Sequence, residues 1–399
     1  MQKQLLATVI SSLIASQVMA ADTVESKNQR TNTNVYTDSA NTLAIGGRVG
    51  LETKTEDSST RPANDSARIN FSFEHKLNDD TTGFASAEWG YQSHNDYVNA
   101  NGTTTTEGSL FYNRLGYLGI SNDEFGSISI GKQWSVYYDV AGWTDAYAIG
   151  GGEAMGTYNG FTSDGGFSGT GRADSAIDYR GAFDGLNVGL QYQLADSNYN
   201  KNLATSRVAG DVKRKNSYQM AISYDFPIGI SIGATLNEAR FDAWPTGAEK
   251  QDLKSRAAVA GIKYDMDAFY LAATYGQFKN HTTATYGLEA NNTSISADNM
   301  GFDEKSHGIE LYGRYRLDQV MDGGFSLEAG WNKLAVDKDN SGDDSESKLD
   351  KRMLGVMYNI GPMEFAAEYT WNKGKVKKTD ASGYDEGKNY YNLVARYYF

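Results

Sequence analysis

Residues 185–195 read GLNVGLQYQLA and alternate strictly between two kinds of side chain. One parity is apolar and consists of Leu186, Val188, Leu190, Tyr192 and Leu194. The other parity is small or polar and consists of Asn187, Gly189, Gln191 and Gln193. Because successive side chains of a β-strand point to opposite faces, the stretch predicts a strand with one apolar and one hydrated face.

The same alternation recurs along the chain, for example in NSYQMAISYDF (216–226) and GPMEFAAEYTWNK (361–373). Short gaps such as NDD (78–80) alternate with long ones, of which 135–171 is the longest. Strands joined by short turns at one end and by long loops at the other predict an up-and-down array of hairpins. About sixteen segments follow this pattern, and they begin near residues 43, 66, 83, 110, 127, 172, 186, 217, 230, 256, 268, 308, 324, 353, 363 and 389.

A soluble β-sandwich also alternates apolar and polar residues, so the two faces have to be compared. The apolar face carries Tyr, Trp and Phe near the strand ends, as a barrel does at a membrane interface. The other face carries Arg, Glu, Gln and Asn, which is too polar for a dry core. We therefore predict an all-β fold, a 16-stranded antiparallel transmembrane β-barrel with long outer loops and short periplasmic turns.

Composition excludes several kinds of function. The formal net charge of −13 repels phosphate backbones, so we expect no nucleic-acid partner. The chain has no cysteine, which excludes disulfides and thiolate chemistry. Its histidines, among them His94, do not stand at a metal-ligand spacing, and we expect no metal and no cofactor. The acidic stretch DKDNSGDD (337–344) lacks the glutamate that a calcium loop needs.

The two ends of the chain carry separate signals. Residues 1–20, MQKQLLATVISSLIASQVMA, have the pattern of a secretory signal peptide. We expect an N-terminal extension over 21–34 and the barrel over 35–399. The final strand, NYYNLVARYYF (389–399), must pair with the first, since lipid tolerates no open sheet edge. Tyr397 and Phe399 then lie on the outward face at the periplasmic interface.

Three stretches carry a more specific resemblance: RLGYLGISNDEFGSISIGKQW (114–134), YYDVAGWTD (137–145) and YRGAFDGLNVGLQYQ (179–193). They are similar to the general diffusion porins of Gram-negative outer membranes, over nearly the whole chain after residue 35. The resemblance implies a homotrimer of 16-stranded barrels in the outer membrane, reached through the periplasm. It implies a third loop, here about 135–171, that folds into the lumen. It also implies that the terminal aromatic is an assembly signal for the barrel-assembly machinery.

In that family a row of basic side chains faces acids on the third loop. The matching basic positions are Arg48, Arg68, Arg114 and Arg172, and alternation independently turns each of them inward. A midplane arginine that faced lipid would cost about 2–4 kcal/mol.

On the loop, Asp145 matches an acidic position, Ile149 stands where the family has a second acid, and Glu153 lies close enough to replace it.

These observations predict a passive, water-filled channel for small hydrophilic solutes and ions, with no catalytic residues. Inward acids such as Glu74, Glu88, Asp174 and Glu364 outnumber the four arginines when the loop acids are added, which favours weak cation selectivity. Expected partners are the solutes and ions, outer-membrane lipid and lipopolysaccharide. The alternatives are an outer-membrane barrel with an enzymatic or an adhesin-like binding role.

Overall fold

The computed structural model describes residues 32–91, 97–98, 104–105, 111–158, 164–196, 210–245, 249–282, 302–320, 322–339, 345–377 and 384–399. The expected signal peptide (1–20), most of the expected extension (21–31), His94 and residues 340–344 of the acidic stretch lie outside these residues.

Strands dominate the described chain, and one short helix, α1 (Tyr138–Ala141), continues into a 3₁₀ turn at Gly142–Thr144. The β segments are β1 Thr33–Thr37, β2 Asn41–Glu56, β3 Ser59–Asn64, β4 Ala67–Lys76, β5 Thr81–Tyr91, β6 Tyr97–Val98, β7 Thr104–Thr105, β8 Phe111–Asn122, β9 Gly126–Trp134, β10 Arg172–Phe183, β11 Leu186–Gln193, β12 Gly210–Asp225, β13 Ile230–Pro245, β14 Gln251–Met266, β15 Phe269–Lys279, β16 Lys305–Val320, β17 Gly323–Lys338, β18 Lys348–Ile360, β19 Met363–Asn372, β20 Lys375–Lys377, β21 Tyr384–Glu386 and β22 Tyr390–Tyr398. Among the described residues, no helix has the length and apolarity to cross a membrane.

Sixteen antiparallel strands close into one barrel. β3 and β4 count as a single strand, because both pair with β2 and only Asp65 and Ser66 separate them. Each strand pairs with the next, and β22 pairs with both β19 and β2, which closes the sheet. The predicted 16-stranded transmembrane architecture is confirmed.

Several strands are longer than the alternation predicts. β12, β14, β16 and β18 begin at Gly210, Gln251, Lys305 and Lys348, each three to seven residues before the predicted start. The added residues lie at the end with long loops, and many are charged, as in Lys254 on the outward face of β14. Charged side chains break the apolar parity while backbone pairing continues, so these strand ends carried no hydrophobic signal.

The seam of the barrel lies at the end of the chain. The amide of Phe399 donates to the Gly47 carbonyl at 3.1 Å, and the Gly47 amide donates to the Phe399 carbonyl at 3.1 Å. β1 pairs with β2 from Thr42 to Ile45, just beyond this contact. An added Cβ at Gly47 would lie 2.7 Å from Cζ of Phe399 and would overlap the Arg68 carbonyl oxygen. Glycine at this position therefore lets the final strand approach the first.

The two faces of the wall differ as alternation predicts. Outward apolar side chains are among the most exposed of their kind, for example Leu51 at 64% and Leu118 at 59%. Inward side chains of the same strands include buried Arg48 and, beyond a register shift in β8, Arg114. An exposed apolar face around a polar interior is the arrangement of a barrel in lipid.

The third loop lies inside the barrel. Val136, Tyr137, Val140 and Trp143 are at most 3% exposed. Trp143 and Tyr138 pack in one cluster with inward residues of the wall such as Tyr270. The interior core of this hollow fold is thus built between loop 3 and the strands that surround it.

Candidate functional site

A cluster of arginines lines one part of the inner wall. Arg68 on β4 and Arg114 on β8 share the carboxylate of Glu88 on β5, which lies between them in the sheet. Arg114 Nε donates to Glu88 Oε1 at 2.5 Å, and Arg68 Nη1 lies 3.9 Å from the same oxygen. All three side chains are 3% exposed, so the carboxylate fixes both guanidinium groups in position.

The same cluster continues across the seam. Arg48 Nη2 lies 3.9 Å from Asp65 Oδ1, and Arg396 Nε donates to Asp65 Oδ2 at 2.6 Å. Arg396 Nη1 also donates to Glu364 Oε1 on β19 at 2.6 Å. Asp65 stands in the break between β3 and β4, where Ser66 has a φ of 37°. This interruption turns a carboxylate toward the arginines that a regular strand would not have placed there.

The arginine cluster comprises Arg48, Arg68, Arg114 and Arg396 with Asp65, Glu88 and Glu364. Four guanidinium groups against three carboxylates leave one net positive charge on this wall. Sequence analysis identified three of the arginines but did not assign Arg396 to the site. Its inward parity within NYYNLVARYYF was the signal that could have identified it.

Arg172 occupies a different setting. It begins β10, where its guanidinium carbon lies 5.4 Å from the ring centre of Trp134. It also faces Asp164 of loop 3, whose carboxylate accepts from Lys132 Nζ at 2.8 Å. Burial acts to raise the pKa of Asp164, but the charges of Lys132 and Arg172 prevail and hold it at about 2. These contacts place Arg172 at the base of loop 3, two strands along the wall from Arg114.

The acids expected on loop 3 are both engaged. Asp145 Oδ2 accepts the hydroxyls of Tyr138 and Tyr158, each at 2.9 Å. Glu153 accepts from Lys351 Nζ on β18 at 2.8 Å. Sequence analysis missed Lys351, because it lies two residues before the predicted start of this strand near residue 353. Both acids of loop 3 are thus held in place, Asp145 by contacts that include two tyrosine hydroxyls and Glu153 by contacts that include a lysine.

Ile149 has an apolar setting. It packs against a cluster of wall residues, Met357, Ala366 and Val394, together with its neighbour Ala148. The position that resembles an acidic one in the family thus contributes an apolar contact between loop and wall.

Three inward glutamates hold the middle of loop 3. Glu310 on β16 accepts the Thr144 hydroxyl at 2.5 Å and the Ala154 amide at 2.6 Å. Glu328 on β17 accepts the Ala148 amide at 2.9 Å. Glu368 on β19 accepts the Gly150 amide at 3.2 Å. Each carboxylate satisfies loop groups that would otherwise be buried without a partner.

The start of loop 3 is fixed by an ion pair. Arg180 on β10 donates to Asp139 of α1 through Nε at 2.9 Å and Nη2 at 3.2 Å, and to the Trp134 carbonyl at 2.8 Å. Burial raises the pKa of Asp139, and the Arg180 charge opposes that shift. On the far side, the Tyr270 hydroxyl donates to the Trp143 carbonyl at 2.6 Å. Loop 3 is thus attached to the wall at both its helix and its middle.

Comparison with known proteins identifies the family of this barrel. A family model described as Gram-negative porin matches residues 7–321. The chain belongs to the Gram-negative porin family. It is 30% identical over 327 residues to outer membrane protein F of Serratia marcescens, covering 80% of this chain and 78% of that protein. It is 31% identical over 338 residues to outer membrane protein S2 of Salmonella typhi, covering 80% and 79%.

Solved structures show the same fold at lower identity. The chain matches Salmonella typhi OmpF, solved in a complex with daunomycin, with a TM-score of 0.67 and 20% identity over 92% of this chain and all of that one. It matches the trimer form of Vibrio cholerae OmpT with a TM-score of 0.59 and 19% identity, over 90% of this chain and all of that one. Family and fold together make this chain a porin of the Gram-negative outer membrane.

Proposed function

We propose that this porin forms a passive, water-filled channel for small hydrophilic solutes and ions, narrowed where loop 3 faces the arginine cluster. The observation that carries the proposal is the attachment of loop 3 to inward Glu310, Glu328 and Glu368. A loop held inside a 16-stranded barrel reduces an aqueous lumen to a slot without filling it. Transport then needs no bond chemistry and no cofactor.

The charges around the slot supply its mechanism. Guanidinium groups of the arginine cluster lie on the wall, while Asp145 and Glu153 lie on the loop. Fixed charges of opposite sign orient water and dipolar solutes and give ions of each sign a separate path. Apolar solutes are penalised because they must displace that ordered water.

We propose weak cation selectivity. Loop 3 contributes the acid Asp145 to the lumen, and the chain as a whole is net negative at −13. A negative vestibule concentrates cations over about 10 Å at 0.1 M salt. Against this stand the one net positive charge of the arginine cluster, the neutralisation of Glu153 by Lys351, and apolar Ile149.

Reconstitution into planar bilayers tests both parts of the proposal. We expect stepwise conductance and, across a KCl gradient, a reversal potential of cationic sign that is larger at low salt. No conductance would contradict the channel. A potential of anionic sign at low salt would contradict the selectivity alone and show that the arginine cluster dominates.

A hydrolytic role has less support. Ser255 Oγ and His281 Nδ1 lie 2.7 Å apart, a distance suited to a nucleophile and its base. Both residues are at most 2% exposed, however, and His281 Nε2 is bonded to the Gly156 carbonyl at 2.8 Å. Burial lowers the pKa of His281 to about 4. This contact therefore serves to hold loop 3, and no substrate reaches it.

The expected assembly and partners remain part of the proposal. We propose a homotrimer, supported by the trimer form of the similar Vibrio cholerae fold, and insertion by the barrel-assembly machinery. Heat-resistant trimers on unheated gels would support the first. Lipopolysaccharide is the expected lipid partner.

A further inference from the structure

A cavity of about 280 Å³ lies in the lumen between loop 3 and the periplasmic ends of the neighbouring strands. Val140 and Trp143 of loop 3 close one side of it, and residues of β10, β11, β12 and β14 form the other. Its charged lining includes Asp225, the last residue of β12, and Lys263, three residues before the end of β14. The cavity therefore lies on the periplasmic side of the slot.

Two opposite charges flank this cavity at the same height. Asp225 pairs directly with Ser231 on β13, and Ser231 pairs directly with Lys263. Adjacent strands lie about 4.8 Å apart, so the backbone positions of the acid and the lysine are separated by roughly 10 Å. All three residues have inward parity, which turns both charges into the lumen.

Neutral groups hold both charged side chains. The Nζ atom of Lys263 lies 5.1 Å from the ring centre of Trp143. Asp225 accepts from the side-chain amide of Asn187 at 2.8 Å and from the hydroxyl of Ser231 at 2.5 Å. Within the described part of the chain, no carboxylate lies in ion-pair range of Lys263 and no cation in that range of Asp225. Both charges are therefore available to a solute.

The other charges beside the cavity pair with each other. Arg180 donates to Asp139 at 2.9 and 3.2 Å and to Asp178 at 3.1 Å. These bonds attach the start of loop 3 to the wall and occupy the guanidinium group. A solute in the cavity is thus offered one cation, Lys263, and one anion, Asp225.

The lining between these two charges is apolar and rigid. An added Cβ at Gly233 would lie 2.8 Å from Cη2 of Trp143, and one at Gly261 would lie 3.1 Å from its Cε3. The indole therefore rests directly on the backbone of β13 and β14. Val140 and Ala221 continue the apolar lining. A polar group of a solute would lose its hydrogen bonds to water against this surface, whereas an apolar group would not.

We propose that this cavity binds a zwitterionic α-amino acid with an apolar side chain, with its carboxylate on Lys263, its ammonium group on Asp225 and its side chain against Val140 and Trp143. One hydrogen bond of about 2.9 Å at each end lets so short a zwitterion bridge the two side chains. A solute with a single charge satisfies only one of them. The inference rests on the proposed channel, because the solute reaches the cavity through the lumen.

The test compares three ligands of matched shape on the full-length mature protein in detergent. L-Valine carries both charges, 3-methylbutanoate lacks the ammonium group, and 2-methylpropylamine lacks the carboxylate. Saturation-transfer NMR titrations give the affinity of each. We expect the wild type to bind L-valine roughly tenfold more tightly than either analogue, since each analogue loses one hydrogen bond between charged groups. Equal affinity for L-valine and one of the analogues would overturn the proposal.

Two variants assign each charge to its partner. Lys263→Met should weaken L-valine and 3-methylbutanoate roughly tenfold and leave the amine unchanged. Asp225→Asn should weaken L-valine and the amine by a similar factor and leave 3-methylbutanoate unchanged. Wild-type affinity for L-valine in both variants would contradict the assignment. If neither variant assembles, the three ligands on the wild type still decide.

Lys54→Met is the matched control. Lys54 is an inward lysine at the loop end, and its Nζ lies 4.2 Å from the ring centre of Tyr390. This variant removes the same charge from the lumen and should bind L-valine as wild type does. Equal weakening in Lys54→Met and Lys263→Met would show an effect of lumen charge alone and would overturn the site.

Conductance separates this inference from the proposed function. Single-channel currents in KCl without any amino acid test the channel, and the NMR titrations test the cavity. Stepwise conductance without L-valine binding would overturn the amino-acid site and leave the channel intact. Absence of conductance in the wild type would instead contradict the channel, whatever the titrations show.

Discussion

The arginine cluster and loop 3 lie in the same lumen but are held by different kinds of contact. In the cluster, charged side chains of the wall pair with each other, as Arg114 does with Glu88 at 2.5 Å. In loop 3, wall carboxylates accept mostly from backbone amides, as Glu310 does from Ala154 at 2.6 Å. A substitution in the cluster therefore changes charge, while a substitution under the loop changes where the loop lies.

The arginine cluster and loop 3 both depend on a closed barrel wall. The largest effect of a substitution is therefore expected at the seam, where the final strand pairs with the first. We predict that Phe399→Asp lowers the amount of heat-resistant trimer severalfold, while protein that does insert conducts as wild type does. The outward Phe399 ring ends the apolar face of β22, and its backbone bonds Gly47. Phe399→Tyr keeps the aromatic ring and serves as the control. Normal trimer levels in the aspartate variant would contradict the assembly role.

The second prediction moves loop 3 without changing any charge. An added Cβ at Gly308 on β16 would overlap the Ala154 carbonyl oxygen of the loop, so Gly308→Ala must displace it. We expect a wider, less uniform conductance with little change in reversal potential. Gly355→Ala on β18 is the matched control, since its Cβ would lie 3.5 Å from its nearest neighbour, the Ala367 carbonyl oxygen. Equal conductance in the two variants would show that loop 3 does not set the width.

The difference between the regions also explains what the sequence could predict. Alternation places Arg48 and Arg68 inward because each stands on a regular stretch of strand. Arg114 lies at a shift in register between β5 and β8, and it points inward although Leu118, which has the same parity, points outward. Alternation also turns Glu310, Glu328 and Glu368 inward, but their partners are loop amides, and every residue except proline carries one. The sequence therefore places these three glutamates in the lumen without showing that they bind loop 3. Asp65 was missed for another reason, since it acts from a break in the strand that no periodicity describes.

The third prediction changes charge without moving the loop. We expect Arg68→Ala with Arg114→Ala to raise conductance and shift the reversal potential towards cations. The double variant leaves Glu88 buried without the two arginines it pairs with, which costs roughly 3–5 kcal/mol. Adding Glu88→Gln should restore stability while keeping part of the shift. Arg172→Ala should change selectivity less, because Arg172 contacts Trp134 and faces Asp164. An unchanged potential in the double variant would exclude these arginines from the constriction.

The smallest effect is expected at an ion pair that joins loop 3 to the wall outside the arginine cluster. Lys351 on the wall and Glu153 on the loop lie 2.8 Å apart, with side chains only 5% and 19% exposed. If their charges cancel in the lumen, Lys351→Met should shift the reversal potential towards cations and Glu153→Gln towards anions, each by a few millivolts to about 10 mV at low salt. The double variant should return close to wild type, because the net charge is restored. The reversal potentials of wild type, the two single variants and the double variant across one KCl gradient complete a double-mutant cycle. Shifts of the same sign in the two single variants would show that the substitutions act by moving loop 3. The Lys351–Glu153 pair would then serve to hold the loop in place.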